Sequence, residues 1–398
     1  MIKFIKTIKK KVIAHIDIDS FFVSAERKLN PKLENKPIVI ASKRKNAISI
    51  SSSYEVKKMN IPTVYPVEIL LKKFPDLVVI NPHMNLYLDE SENFFNFLKK
   101  NITKKIEKFS IDECFLDLTN FSKKFSSKKN MALFIQNEIK KNLNLPISIG
   151  ISYNKILAKL ATNYAKPFGI KIFEKEDLAN EISGLDISSI NGIGKKYLIK
   201  LNNNSIFKIK DFIIFCKNNK KLDKNLFNIC NNFISKGDDK IIEEEKNPKI
   251  ISRQYTLEYE ENQNKEKLLS ILKLLTLDIS NKMQKKLMAS NTFFLNLLFF
   301  DNEETSKKIK FSTNIRDFDF FYNKVSILFE EIWNKKNIKR ITVGFLNLTS
   351  LNNQKDLFDL NNDSDKISNI IKLINIKLKN KSLTTLKDLK NVKNKNKL

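Results

Sequence analysis

Two stretches set carboxylates inside runs that otherwise read as buried strands: AHIDID, Ala14–Asp19, and SIDECFLD, Ser110–Asp117. A charge buried among isoleucine, leucine and phenylalanine is costly unless it meets a partner. D-x-D alone is a weak signal, and two carboxylates facing solvent at a strand end would explain Asp17 and Asp19. The second interruption, with Asp112 and Glu113 about a hundred residues later, changes that reading. Three carboxylates converging on one spot repel one another unless a cation lies between them. The fold must therefore bring two distant strands side by side.

Residues available for softer metal ligation are few. His15 and His83 are the only histidines, and Cys114, Cys216 and Cys230 form no C-x-x-C pair. Neither a zinc site nor a disulfide framework is expected. Oxygen ligands without His or Cys select Mg²⁺, with Mn²⁺ as the alternative. Two such ions ~4 Å apart suit in-line displacement at a phosphate.

The 398 residues leave room for two to four domains. No run approaches the ~18 apolar residues that cross a bilayer. The start, MIKFIKTIKKK, lacks the apolar segment and cleavage site of a signal peptide. A soluble cytoplasmic protein without membrane contact is expected. The net charge of +28 and pI near 9.7 favour a polyanionic partner such as nucleic acid. Only five of the 72 basic residues are arginine, however, and Gly is down to 7. Codon bias in an AT-rich genome would give the same profile, so both explanations stay open.

Along the chain, KKVIAHIDID alternates, with His15, Asp17 and Asp19 on one side and Ala14, Ile16 and Ile18 on the other. SFFVSAERKL reads as a helix with Ser20 as N-cap. KPIVIAS is a strand, SSYEVKKMNI a short helix, SIDECFLDLT strand-like, and LPISIGIS a buried strand entering the helix NKILAKLATNYA. From about 174 to 240 the pattern is helical and lysine-rich, and KIIEEEKNPK reads as a linker. The next hundred residues give β-α-β-β-α-β, a ferredoxin-like order. Leu268, Leu272, Leu275, Ile279, Met283 and Leu287 form one stripe of its first helix. The tail loses periodicity: residues 360–398 carry ten lysines against three aspartates, which reads as disordered or helical only on a partner.

HIDIDSFFVSAE, SSSYEVKK, SIDECFLDLT, GISYNKILAKLATNYAKPFGI and INGIGKK occur in the order and spacing of a known motif set. They resemble the Y-family translesion DNA polymerases, the bacterial DNA polymerase IV branch in particular, over about residues 11–350. The resemblance implies an α+β right-hand polymerase. Its ferredoxin-like palm would be 1–27 and 78–173, its small fingers 28–77 and its helix-hairpin-helix thumb 174–240. A linker at 241–249 would lead to the β-α-β-β-α-β little finger at 250–350 and a basic tail at 351–398.

It also implies roles for residues. Asp17 and Asp112 would bridge two Mg²⁺ ions, Glu113 would complete the catalytic ion's shell, and the Ile18 carbonyl would ligate the nucleotide-side ion. Asp19 matches a family residue that is not usually a ligand. Phe22 would be the steric gate that collides with a 2′-hydroxyl, and the Phe21 backbone would line the triphosphate path. Tyr54, Lys57 and Lys166, with Ser51 nearby, would hold the incoming dNTP's phosphates. Lys57 stands where the family usually has arginine and cannot make the same bidentate contact. KKMNI replaces the usual aromatic-glycine pair, so the local turn is expected to differ from the family's.

Gly192 and Gly194 allow a tight turn whose exposed amides, with Lys195, can meet a phosphate of the primer-template DNA; a plain helix–helix turn is the alternative. In QKDLFDL, Gln354, Leu357 and Phe358 fit the short peptide that docks bacterial replication enzymes into a sliding clamp. The basic extension beyond it is either a DNA-holding tail or a codon-bias remnant. A monomeric, low-fidelity, template-directed polymerase is the leading expectation. A polymerase V-like catalytic subunit needing accessory proteins, a DNA-binding module without chemistry, and a nucleotidyl cyclase are the competitors.

Overall fold

The computed structural model describes residues 11–350, except 45, 175, 219–221, 235–240, 242–247, 259–263 and 316–317. The expected linker falls largely, and the clamp peptide and basic tail wholly, outside the described residues. The chain divides into two units, Met1–Glu245 and Lys246–Leu398.

The first unit begins β1 (Ile13–Ile18), α1 (Phe21–Leu29), β2 (Ile38–Ile40), β3 (Ser51–Ser52), α2 (Tyr54–Lys57), α3 (Val67–Lys73), β4 (Val78–Ile80) and α4 (Met84–Asn101). It continues with β5 (Ile106–Lys108), β6 (Glu113–Asp117), α5 (Lys128–Leu143), β7 (Ile147–Ser152), α6 (Lys155–Ala165) and β8 (Ile170–Ile172). Five strands form one sheet in the order β5-β6-β1-β7-β8. β1 is its centre and is buried along its whole length.

The alternation read in the sequence decides which neighbour each face meets. Ala14, Ile16 and Ile18, with Ile147, Ile149 and Ile151 of β7, belong to one core with Phe94, Leu98, Met131 and Ile135 of α4 and α5. On the opposite face α6 lies against the sheet, its Thr162 hydroxyl 3.0 Å from His15 Nδ1. The approach is close because Gly150 has no side chain: a Cβ there would stand 2.2 Å from the Ala158 carbonyl oxygen and 2.3 Å from the Thr162 amide. Asn154 caps α6 by accepting from Leu157 N–H at 2.9 Å. A smaller sheet, β3-β2-β4, carries α2 and α3 on a separate cluster of Val39, Val56, Leu70 and Leu77.

Ser20 stands at the N-cap of α1, yet its side chain makes no cap hydrogen bond. Its backbone is left-handed, φ 46°, which swings the hydroxyl off the helix axis, and that hydroxyl accepts from Lys57 Nζ at 2.8 Å. The expected cap is a docking point instead.

Four helices follow: α7 (Leu178–Ile182), α8 (Lys195–Asn202), α9 (Ile209–Asn218) and α10 (Lys224–Ile234). Cys216 of α9 and Cys230 of α10 are disulfide-bonded, with Cα atoms 5.4 Å apart. This corrects the expectation of no disulfide: a helix hairpin brings together cysteines whose spacing in the chain carries no motif. Gly192, with φ +97°, occupies a conformation that L side chains avoid. Gly194 has extended backbone and open space where a Cβ would lie, so the turn requires glycine at the first position only.

The second unit runs β9 (Ile251–Thr256), α11 (Lys265–Lys285), β10 (Met288–Phe299), β11 (Glu304–Ile315), α12 (Phe318–Ile332), β12 (Ile338–Leu346) and β13 (Thr349–Ser350). The element order is the expected one, and the main sheet is antiparallel in the order β11-β10-β12-β9. Five of the six stripe residues of α11 are buried. Leu287 is not, because the helix ends at Lys285; Leu287 has φ 51° and is 60% exposed. No helix of the described residues is long and apolar enough to cross a membrane.

Candidate active site

The register of the central sheet opposes Asp17 of β1 to Glu113 of β6 and to Ser148 of β7. Residues directly opposed in an antiparallel pair share a face with Cβ atoms ~5 Å apart, and like charges so placed repel. Asp112 sits just before β6, and its carbonyl accepts the Ile18 N–H at 3.0 Å. The three carboxylates read from the sequence are thus brought to one end of β1, with the Asp112 side chain taking a hydrogen bond from the Ser110 hydroxyl.

Cationic side chains offset this repulsion. Lys166 Nζ lies 2.7 Å from Asp17 Oδ1. The Lys159 ammonium pairs with Glu113, whose same oxygen is 3.1 Å from His15 Nε2. Burial raises the Asp17 carboxyl, Lys166 opposes the rise, and the charges of Asp112 and Glu113 add to it, leaving Asp17 near 6. Burial also raises Glu113, but hydrogen bonds from His15 and Lys159 prevail and bring it to about 2. Burial lowers His15 to about 4, so the imidazole is neutral at neutral pH, with Nε2 facing Glu113 and Nδ1 3.0 Å from the Thr162 hydroxyl.

Sequence reasoning missed His15 and Lys159 as partners of Glu113. The strand alternation placed His15 beside Asp17, which was a usable signal. Lys159, one turn beyond Lys155 on α6, was not separable from the other lysines of the chain.

Asp19 turns away from this group. It is 2% exposed and accepts from Tyr54 Oη at 2.9 Å, Ser148 Oγ at 2.9 Å and the Phe168 amide at 2.7 Å. Lys57 Nζ, besides its bond to Ser20, lies 4.4 Å from the Tyr54 ring centre. Tyr54 and Lys57 of α2 and Lys166 after α6 therefore dock on Asp19, Ser20 and Asp17, three residues at the end of one strand. Ser51 lies on β3 opposite Ile40, outside these contacts. Phe21 is buried in the core, and Phe22 is half-buried with its ring stacked on Tyr87 at 4.2 Å. Gly192 and Gly194 belong to the turn before α8, and Lys195 is the first residue of that helix.

Among the described residues no group of three or more His, Cys, Asp and Glu is arranged to hold a metal ion. Asp17 and Glu113 each engage an ammonium instead. The donor chemistry nonetheless fits a hard divalent cation. The oxygens on offer are the carboxylates of Asp17 on β1, Glu113 on β6 and Asp112 just before β6, and the positive charge beside them sits on lysine side chains long enough to swing aside.

Residues 16–163 match the impB/mucB/samB family, and residues 248–357 match its C-terminal domain. The chain is 33% identical over 357 residues to DNA polymerase IV of Ureaplasma parvum serovar 3, covering 88% of this chain and 98% of that one. It is 28% identical over 368 residues to DNA polymerase IV 1 of Bacillus subtilis, covering 89% and 87% respectively. Among solved structures it resembles a Y-family DNA polymerase chimera of Dbh and Dpo4, at TM-score 0.74 and 25% identity over 85% of this chain and 99% of that one.

Proposed function

This chain belongs to the Y-family DNA polymerases, on the DNA polymerase IV side, and we propose that it joins a deoxynucleotide to a primer at the end of β1. It is a DNA-directed DNA polymerase of translesion synthesis. The single observation that carries the site assignment is the β1–β6 register, which opposes Asp17 to Glu113 beside Asp112. Asp17, Asp112 and Glu113, with the Ile18 carbonyl, would hold two Mg²⁺ ions. Ions held there would supply the charge that eases loss of the primer hydroxyl's proton and offsets charge on the α-phosphate and the leaving pyrophosphate.

The remaining roles fall to side chains. Lys166, Lys57 and Tyr54 exchange their present partners, Asp17, Ser20 and Asp19, for triphosphate oxygens, with Ser51 beside them. That exchange frees Asp17 as the nucleotide arrives. Phe21 backs the path from the core, and Phe22 lies under the sugar. We assign residues 1–27 and 78–173 to the palm, 28–77 to the fingers, 174–240 to the thumb and 250–350 to the little finger. Gly192, Gly194 and Lys195 contact duplex phosphates, which positions DNA without reading its sequence. Primer-template DNA and dNTP are the partners we assign, in keeping with the DNA polymerase IV relatives. A monomer in the cytoplasm is the state we assign. Primer extension with each dNTP alone, on intact and abasic templates, tests the activity; failure on both would reject it.

Proton competition gives a sharper check. Deprotonated Asp17 is the ligand, and its carboxyl titrates near 6. Mn²⁺ affinity is therefore expected to be about tenfold weaker at pH 5 than at pH 7. An ordinary exposed carboxylate would be ionised at both, so a flat profile would contradict the assignment.

Gln354, Leu357 and Phe358 we assign to a sliding clamp, on the strength of the peptide QKDLFDL alone. Alanine at Leu357 and Phe358 is expected to abolish clamp-stimulated synthesis while basal synthesis persists. Equal stimulation of that variant by the clamp would dismiss the motif.

A further inference from the structure

The ring of Phe22 lies nearly parallel to that of Tyr87, with centroids 4.2 Å apart and planes at 11°. Tyr87, on α4, has no solvent exposure. Its hydroxyl donates to Glu26 Oε1 at 2.6 Å, and Glu26, on α1, is itself only 3% exposed. His83 Nδ1 reaches the same oxygen at 2.8 Å. A second tie, Lys28 to Glu90 at 2.6 Å, holds the two helices in register.

We propose that Tyr87, held by Glu26, is a positioning residue for sugar selection. This rests on the reading of Phe22 as the ring under the incoming sugar. A gate excludes a 2′-hydroxyl only if it cannot yield. Rings stacked at this separation are in van der Waals contact, so Tyr87 blocks any retreat of Phe22 toward α4. Tyr87 has no slack: it is enclosed on all sides, and moving it would take a hydrogen bond from a buried carboxylate. Discrimination thus depends on a chain of contacts from the gate through Tyr87 to Glu26, which ties the α1 and α4 helices together behind it.

The test compares kcat/KM for ribonucleotides and deoxynucleotides in the full chain. Phe22→Ala is the reference. Tyr87→Ala is expected to raise relative ribonucleotide use by on the order of tenfold while deoxynucleotide synthesis continues. Tyr87→Phe and Glu26→Gln, which keep the backing ring and weaken its tether, should fall between wild type and Tyr87→Ala. In the double variant Tyr87→Ala/Phe22→Ala the increase should not exceed that of Phe22→Ala alone, since both act through one ring. Active Tyr87→Ala with the wild-type sugar ratio, or a double variant in which the two effects multiply, would overturn the proposal. Should Tyr87→Ala not fold, Tyr87→Leu fills most of the space without a stacking face, and the same two outcomes decide. A Phe22→Ala enzyme with unchanged sugar preference would instead overturn the gate assignment itself, whatever Tyr87 does.

Discussion

Asparagine in place of Asp17 is expected to lower primer extension by on the order of 10³-fold, from loss of about 4 kcal/mol of transition-state charge stabilisation. The substitution keeps shape and removes charge, so it isolates the carboxylate. It also removes one of two like charges opposed across β1 and β6, and a carboxyl that burial already holds near 6. Thermal stability should therefore be unchanged or higher while activity collapses, the opposite of what a structural carboxylate would give. Steady-state extension together with a thermal melt of the same preparation checks both halves. Activity within tenfold of wild type would remove Asp17 from the catalytic set.

The second large effect is on sugar choice. Phe22→Ala is expected to raise ribonucleotide incorporation relative to deoxynucleotide by on the order of 10²-fold, the scale at which a pocket wall excludes one extra group. Phe22 is only half-buried and stands at the start of α1, beside the strand end that carries Asp17. Its removal should open the floor of the nucleotide site without disturbing the carboxylates. Competition between matched ribo- and deoxynucleotides on one template measures the ratio directly. An unchanged ratio would mean that Phe22 is core packing at a helix start and nothing more.

Much of the fold was legible because its strongest signals are local. Alternation in KKVIAHIDID told which side of β1 faces the aliphatic core, and the apolar stripe of α11 was right for five of six residues. The meeting of β1 with β6, which opposes Asp17 to Glu113, was legible for another reason: buried carboxylates need partners, and that need acts at any distance along the chain. What escaped depends on geometry that periodicity does not encode. The left-handed backbone of Ser20 turns a cap into an acceptor for Lys57. The pairing of Cys216 with Cys230 depends on how α9 and α10 fold back on each other. Lys159 was hidden by abundance, since one lysine among 67 carries no signal until α6 lays it over Glu113. Leu287 shows the limit of stripe reading, which gives a face but not the residue at which a helix stops.

Counting manganese ions by electron paramagnetic resonance tests the central claim most directly. The protein would be bound to a dideoxy-terminated primer-template and the matching dNTP. Two ions per chain are expected for wild type, and fewer than two for Asp17→Asn under the same conditions. Two tightly held ions in the Asp17→Asn protein would place the metals elsewhere and contradict the account.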